Sequence, residues 1–176
     1  MWYLIAGAFL ILGGGATAVI VTSDEWTRFD ESFKRIGAQY GVDWTWLKAF
    51  ALNESDLGRN SLVASGATSS DGLSWGLMQV TLKTGQSYDP DITIEKLANL
   101  SPADYSIDLS AHLIADNKNQ FDSSDPAFIE KVVKSYNQGP YNTKQEFNGI
   151  QTKYYDAVQA YWARWQRNLV VVQGDM

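Results

Sequence analysis

A carboxyl group at residue 54 lies where the sequence otherwise predicts a buried apolar side chain. In the segment "WLKAFALNESDLG" (residues 46–58), Leu47, Phe50 and Ala51 recur at the spacing of one helix face, and Glu54 is the next position on that face. An apolar setting disfavours the charged form of a carboxyl group and raises its pKa. A carboxyl group that stays protonated near neutral pH can act as a general acid. The alternative is that Glu54 is a solvated residue at the end of the helix.

Two further segments carry polar groups in apolar surroundings. In "SWGLMQV" (residues 74–80), Gly76 permits a close backbone approach, and Gln79 offers both a donor and an acceptor. In "SYNQGP" (residues 135–140), Tyr136 shares a helix face with apolar residues, so its ring is expected to face the core and its hydroxyl a partner at the helix end. Taken alone, the first segment also fits a buried turn and the second a helix terminator.

The three segments together resemble a known enzyme family. The order "NES" (53–55), "GLMQ" (76–79) and "YNQG" (136–139) resembles that of the lytic transglycosylases with the goose-type lysozyme fold, over roughly residues 35–165. The resemblance implies a mainly α, lysozyme-like (goose-type, SLT) domain with a small β or irregular element. It also implies cleavage of the β-1,4 bond between N-acetylmuramic acid and N-acetylglucosamine in peptidoglycan.

The resemblance also assigns roles to residues. It implies that Glu54 is the catalytic acid and then the base, and we expect no cofactor. The candidate substrate-binding residues are those of the motifs and their neighbours: Ser55, Trp75, Met78, Gln79, Tyr136 and Asn137.

The chain departs from the family pattern at two places. The segment before "GLMQ" is longer than usual and carries Trp75. In "SIDLSAHL" (residues 106–113), Ser106 and Ser110 stand where the family often has Asn and Gly. These departures concern the details of the cleft and leave the catalytic acid in place.

The outcome of the reaction depends on what attacks the cleaved sugar. In the transglycosylase route the substrate's own 6-hydroxyl attacks and forms a 1,6-anhydro ring. In the alternative, hydrolytic route of a goose-type lysozyme, a second carboxylate about 6.5–9.5 Å away activates water. Asp71 is the best candidate for that group, although its place before Gly72 favours a turn. A non-catalytic lysozyme-like module for cell-wall binding or assembly is a third reading, and the presence of Glu54, Gln79 and Tyr136 argues against it.

Composition excludes several other classes of function. The 176 residues carry a net charge of −6 with no long basic run, so nucleic-acid binding is not expected. The chain has no Cys, which excludes thiol catalysis and Cys-based zinc sites. His112 and Asp116 are four residues apart on a predicted helix, but without a third ligand they are read as a solvated pair, and no metal site is expected.

The N-terminal residues predict a membrane helix. Residues 2–22 carry no charge and would span roughly 30 Å as a helix, the thickness of a bilayer core. Gly14 and Ala18 form a small-residue pair that could admit a partner helix in the membrane. The alternative is a cleaved signal peptide, although the stretch lacks the usual basic start and cleavage site. We therefore expect a transmembrane helix over residues 1–22 and a catalytic domain over 23–176.

This organisation leads to an expected location. The catalytic domain would lie on the cell-wall side of a single-pass protein, in the bacterial inner membrane or in the membrane of a bacteriophage virion. The lack of basic residues near the start slightly favours the virion.

The elements that would carry these residues are mostly helices. Those with a start signal are a helix from Ser23 to Tyr40, one from Asp43 to near Gly58, one from Ser101 to about Phe121 and one from Asp125 to Asn137. A short helix is expected over residues 93–100, and a loop over 59–75 with a small hairpin at Asp71-Gly72. A last helix over 149–169 presents Tyr154, Val158, Tyr161 and Trp165 on one stripe, which is read as core.

Overall fold

The computed structural model describes residues 24–67, 72–144 and 153–163, and this part of the chain is mainly helical. The elements before the hairpin are α1 (Asp24–Thr27), α2 (Asp30–Tyr40), α3 (Trp44–Ser55) and α4 (Ser61–Ala64). The hairpin strands are β1 (Ser74–Trp75) and β2 (Val80–Thr81). They are followed by α5 (Leu82–Tyr88), α6 (Ile94–Ala98), α7 (Asp104–Lys118), α8 (Phe128–Gln138) and α9 (Pro140–Lys144), and residues 153–163 form a further helical segment. The expectation of a mainly α domain with a small β element is confirmed.

Helix α3 is the centre of the fold. It begins as predicted at Asp43, whose side chain accepts a hydrogen bond from the backbone N–H of Thr45 at 2.8 Å. Leu47, Phe50 and Ala51 are at most 1% exposed. Other side chains of α3 are buried too, so the helix lies inside the domain and only its ends approach the surface.

The hairpin surrounds the "GLMQ" segment. Strands β1 and β2 are antiparallel, with Ser74 opposite Thr81 and Trp75 opposite Val80, and residues 76–79 form the turn. The hairpin that the structure describes therefore turns at residues 76–79, and the one expected at Asp71-Gly72 falls partly outside the described residues. Asp71 itself lies outside the described residues.

The helix starts were predicted less well than the helix ends. The single helix expected up to Tyr40 is two helices, α1 and α2. Ser101 does not cap α7, which begins at Asp104 without a side-chain cap. By contrast, Gly41 ends α2 in the left-handed conformation with φ 64°, as its position predicted. The predicted 59–75 loop contains α4.

The expected membrane segment, residues 2–22, lies outside the described residues. Among the helices that the structure describes, none combines the length and the apolar character that crossing a bilayer requires.

Candidate active site

A cleft of about 560 Å³ lies at the C-terminal end of α3. Its walls come from α3, α4, the hairpin, the start of α5, α7 and the end of α8. The polar residues that line it are Glu54, Asn60, Ser74, Gln79, Thr81, Thr84, Ser135, Tyr136 and Asn137. The three sequence motifs thus reach one cavity, since each contributes at least one lining residue.

Glu54 lies in this cleft and is held by a tyrosine from far along the chain. The hydroxyl of Tyr154, in the helical segment 153–163, donates a hydrogen bond to Oε1 of Glu54. Burial, and then the negative charge of Glu54, raises the pKa of the Tyr154 phenol well above its usual value. The phenol therefore keeps its proton and acts as a permanent donor that orients the carboxyl group.

Tyr154 was assigned to the core by its sequence pattern, and its role at Glu54 was missed. The ring does pack within the apolar interior, with its centroid 6.4 Å from that of Phe50. The missed signal is chemical: a buried tyrosine usually needs a partner for its hydroxyl.

Tyr136 lines the cleft, but its hydroxyl points behind the wall. The hydroxyl donates to the backbone carbonyl of Met78 at 2.7 Å and is also 2.7 Å from Oγ of Ser110. Its ring centroid is 4.7 Å from that of Phe50. Burial, and then the charge of Glu54, raises the pKa of this phenol as well. The hydroxyl thus has a partner, as the sequence led us to expect, and that partner is the Met78 backbone rather than a ligand in the cleft.

Gln79 and Asn137 lie at the cleft as expected. Gln79 has a positive φ of 50°, which is uncommon for a residue with a Cβ atom, and its side-chain amide donates to the carbonyl of Gly76 at 2.9 Å. Asn137 is exposed at the end of α8. Both side chains can therefore meet a ligand in the cleft, and their substrate-binding roles stay predictions.

Ser55, Met78 and Trp75 do not line the cleft. Ser55 is 1% exposed and donates to the carbonyl of Leu77 at 2.7 Å, so its hydroxyl is used inside the fold. Met78 is fully buried, which leaves its side chain no surface for a saccharide. Trp75 is half-buried and packs against the core. The expected saccharide contacts of Ser55 and Met78 therefore do not fit this structure, because both side chains lie behind the cleft wall.

Gly76 brings the turn against the end of α6. With φ 75°, it is so close to that helix that a Cβ atom would lie 1.8 Å from the carbonyl oxygen of Leu97. Only a residue without a side chain fits here, as the sequence predicted for a close backbone approach.

Among the described residues that line the cleft, the chemistry is that of a carboxyl group. Glu54 is the only acidic residue among the described residues that line the cavity. Within the same described part of the chain, no group of three His, Cys, Asp or Glu side chains could hold a metal ion. The site is therefore suited to proton transfer by Glu54 at a bond placed across the cleft.

Comparison with known proteins gives the family. A search of curated proteins found no match to this chain. The family model described as "Transglycosylase SLT domain" matches residues 31–159, which is more than half of the chain and includes all three motifs. The matched range also contains Tyr154, the hydrogen-bond donor to Glu54. The chain therefore belongs to the transglycosylase SLT domain family, whose members are generally peptidoglycan lytic transglycosylases.

Proposed function

We propose that this protein is a lytic transglycosylase that cleaves the β-1,4 bond between N-acetylmuramic acid and N-acetylglucosamine and leaves a 1,6-anhydro product. The observation that carries the proposal is the setting of Glu54, a carboxyl group held by Tyr154 in a cleft of about 560 Å³. Family membership supports peptidoglycan as the substrate.

Glu54 performs two proton transfers in this mechanism. It first gives its proton to the glycosidic oxygen, so that the C–O bond breaks and the oxygen of the substrate's 2-acetamido group bonds to the anomeric carbon. The Glu54 carboxylate then accepts the proton of the 6-hydroxyl as that oxygen attacks the anomeric carbon and displaces the acetamido oxygen. Acid and base are one group, which suits a cleft whose described lining holds one carboxylate.

The attacking hydroxyl belongs to the substrate, which favours the anhydro product over hydrolysis. An intramolecular nucleophile has a large effective concentration and does not need a dedicated base for water. Mass spectrometry of a digest of purified peptidoglycan tests this. We expect 1,6-anhydromuropeptides, whereas products heavier by one water with reducing ends would identify a hydrolase of the goose-type lysozyme kind.

The role of Glu54 has a direct test. Glu54→Gln keeps the shape and the hydrogen-bond acceptor but cannot transfer a proton, so turbidity clearance should fall by about 10²- to 10⁴-fold with the melting temperature nearly unchanged. Glu31→Gln on the exposed face of α2 is the matched control, because the side chain of Glu31 is 88% exposed and should leave activity intact. Clearance by Glu54→Gln within tenfold of wild type would refute the assignment, whereas a wild-type protein that clears no turbidity would favour a non-catalytic module. The elevated Glu54 pKa expected from the sequence stays a prediction, which a pH–rate profile tests.

The membrane setting is a separate part of the proposal. Residues 2–22 anchor the protein in a bilayer, and the domain from residue 23 acts on the cell-wall side. The support is the uncharged, bilayer-length sequence of this stretch. Full-length protein should remain in the membrane fraction after high-salt washing, and a variant that begins at residue 23 should be soluble and active. Recovery of the full-length chain in the soluble fraction without detergent would contradict the anchor.

Two settings fit this arrangement, the bacterial inner membrane and the membrane of a bacteriophage virion. They make different predictions for where the protein is found. Immunoblotting of purified virions and of membranes from uninfected cells distinguishes them.

A further inference from the structure

The backbone of the "GLMQ" turn is held by side-chain hydroxyls from three helices. The carbonyl of Leu77 accepts from Ser55 of α3 at 2.7 Å. The backbone N–H of Met78 donates to Oγ of Ser106 of α7 at 3.0 Å, and the carbonyl of Met78 accepts from Tyr136 of α8 at 2.7 Å. The peptide groups on both sides of Met78 are thus fixed from outside the hairpin.

Ser110 completes this arrangement through Tyr136. A phenol has one proton, and Tyr136 gives it to the Met78 carbonyl, which can only accept. The contact of 2.7 Å between Ser110 and Tyr136 must therefore use the proton of Ser110. Ser106 and Ser110 are four residues apart on α7, on the same face, and both are fully buried.

These hydrogen bonds stabilise the backbone conformation of Gln79. Its φ of 50° lies in the left-handed region, which is unfavourable for a residue with a Cβ atom. Such a conformation persists only where the surroundings fix it. The Met78 carbonyl belongs to the peptide group that leads into Gln79, so its bond to Tyr136 sets the direction from which the Gln79 side chain enters the cleft.

We propose that Ser106 and Ser110 are positioning residues that fix the Gln79 side chain in the cleft, Ser106 through the backbone of Met78 and Ser110 through the hydroxyl of Tyr136. The resemblance found in the sequence implies Asn and Gly at these two positions, where this chain has Ser. In this chain Ser106 bonds the turn directly, and Ser110 bonds Tyr136, which in turn bonds the Met78 carbonyl. The proposal rests on the proposed function, since it assumes that Gln79 contacts the reacting saccharide.

A double-mutant cycle with Gln79 tests the proposal. Ser106→Ala leaves the buried N–H of Met78 without an acceptor and should lower kcat/KM by about tenfold, and Ser110→Ala should act in the same direction with a smaller effect. If both serines act through Gln79, either substitution made in a Gln79→Ala background should change kcat/KM by less than about twofold. A purely structural role would lower kcat/KM by the same factor in both backgrounds, and that result would overturn the proposal.

Two further measurements distinguish a lost positioning role from a general loss of stability. Ala111→Gly, within the same helix, should lower the melting temperature by a few degrees without touching the turn, so kcat/KM of the folded enzyme should not change. If Ser106→Ala behaves like this control, with a lower melting temperature and an unchanged kcat/KM, the positioning role is refuted. Glu54→Gln is measured in parallel: if it stays active, the proposed function fails, whereas an inactive Glu54→Gln beside an additive serine effect refutes only the positioning role.

Discussion

Gly76→Ala should be among the most damaging single-methyl additions in the domain. The added Cβ atom would lie 1.8 Å from the carbonyl oxygen of Leu97, which is backbone and cannot rotate away. The end of α6 or the hairpin turn would have to move by roughly 1 Å or more to reach normal contact. Such overpacking lowers the free energy of unfolding by about 1–3 kcal/mol, and a Cβ atom at the left-handed φ of 75° lowers it by about 1–2 kcal/mol more.

The expected loss of about 2–5 kcal/mol is a large fraction of the 5–15 kcal/mol typical of a folded domain. It corresponds to a fall in melting temperature of about 5–20 °C for a chain of this size. Urea denaturation measures the free energy of unfolding directly, and turbidity clearance measured well below the midpoint shows whether the cleft has been disturbed.

Gly66→Ala is the matched control for this measurement. Gly66 has nearly the same φ, 72°, but an added Cβ atom there meets nothing within 4 Å. Gly66→Ala should therefore lower the free energy of unfolding only by the cost of the left-handed backbone, about 1–2 kcal/mol, and should keep full activity. Equal losses for the two variants would show that the hairpin does not press on α6, and the reasoning about the turn would be refuted.

Three other predictions concern groups around the site and in the core. Tyr154→Phe removes the hydrogen-bond donor to Glu54, so turbidity clearance should fall by about tenfold or more with little change in melting temperature. Normal clearance would show that this hydrogen bond does not orient the acid. Lys48→Met leaves the carboxylate of Asp30 buried without the ammonium group that now lies 2.7 Å away, so the free energy of unfolding measured in urea should fall by about 3–5 kcal/mol. Adding Asp30→Leu should restore most of that free energy, and a double variant as unstable as Lys48→Met alone would contradict this reasoning. Burial raises the pKa of Tyr88 to about 12, so the folded state favours the neutral phenol. The contribution of this phenol to stability is complete below about pH 10 and is lost as the pH rises toward 12. Tyr88→Phe should therefore remove that part of the decrease in the free energy of unfolding at alkaline pH, as measured in urea.

The local features of the site could be predicted from sequence because they depend on short-range chemistry. The Asp43 cap, the apolar residues around Glu54 and the need for glycine at residue 76 follow from side-chain type and spacing, and the structure shows all three. The starts of α2 and α7 could not be predicted as well. A Ser-Pro pair favours a helix start, but tertiary packing decides where the first turn forms.

The long-range partners could not be predicted, because no local pattern specifies them. Tyr154 and Glu54 are one hundred residues apart in the chain, and the same apolar stripe would serve a tyrosine with any other buried acceptor. The serines of α7 read as departures from a family pattern, and their function appears only when the hairpin turn lies against them. The same holds for Tyr136, whose apolar face was predicted correctly while the partner of its hydroxyl was not.

The adjacency of Glu54 and Ser55 explains why one short motif contributes to both the chemistry and the shape of the cleft. Neighbouring residues on a helix point about 100° apart, so at the end of α3 one side chain can enter the cavity while the next enters the fold. Glu54 takes the first direction and Ser55 the second, where it binds the carbonyl of Leu77. Because both side chains leave the same rigid turn of helix, any shift of α3 moves the acid and the hairpin together. The distance between Glu54 and Gln79 is therefore maintained by the motif itself, and the hydroxyls of α7 and α8 fix the other side of the same turn.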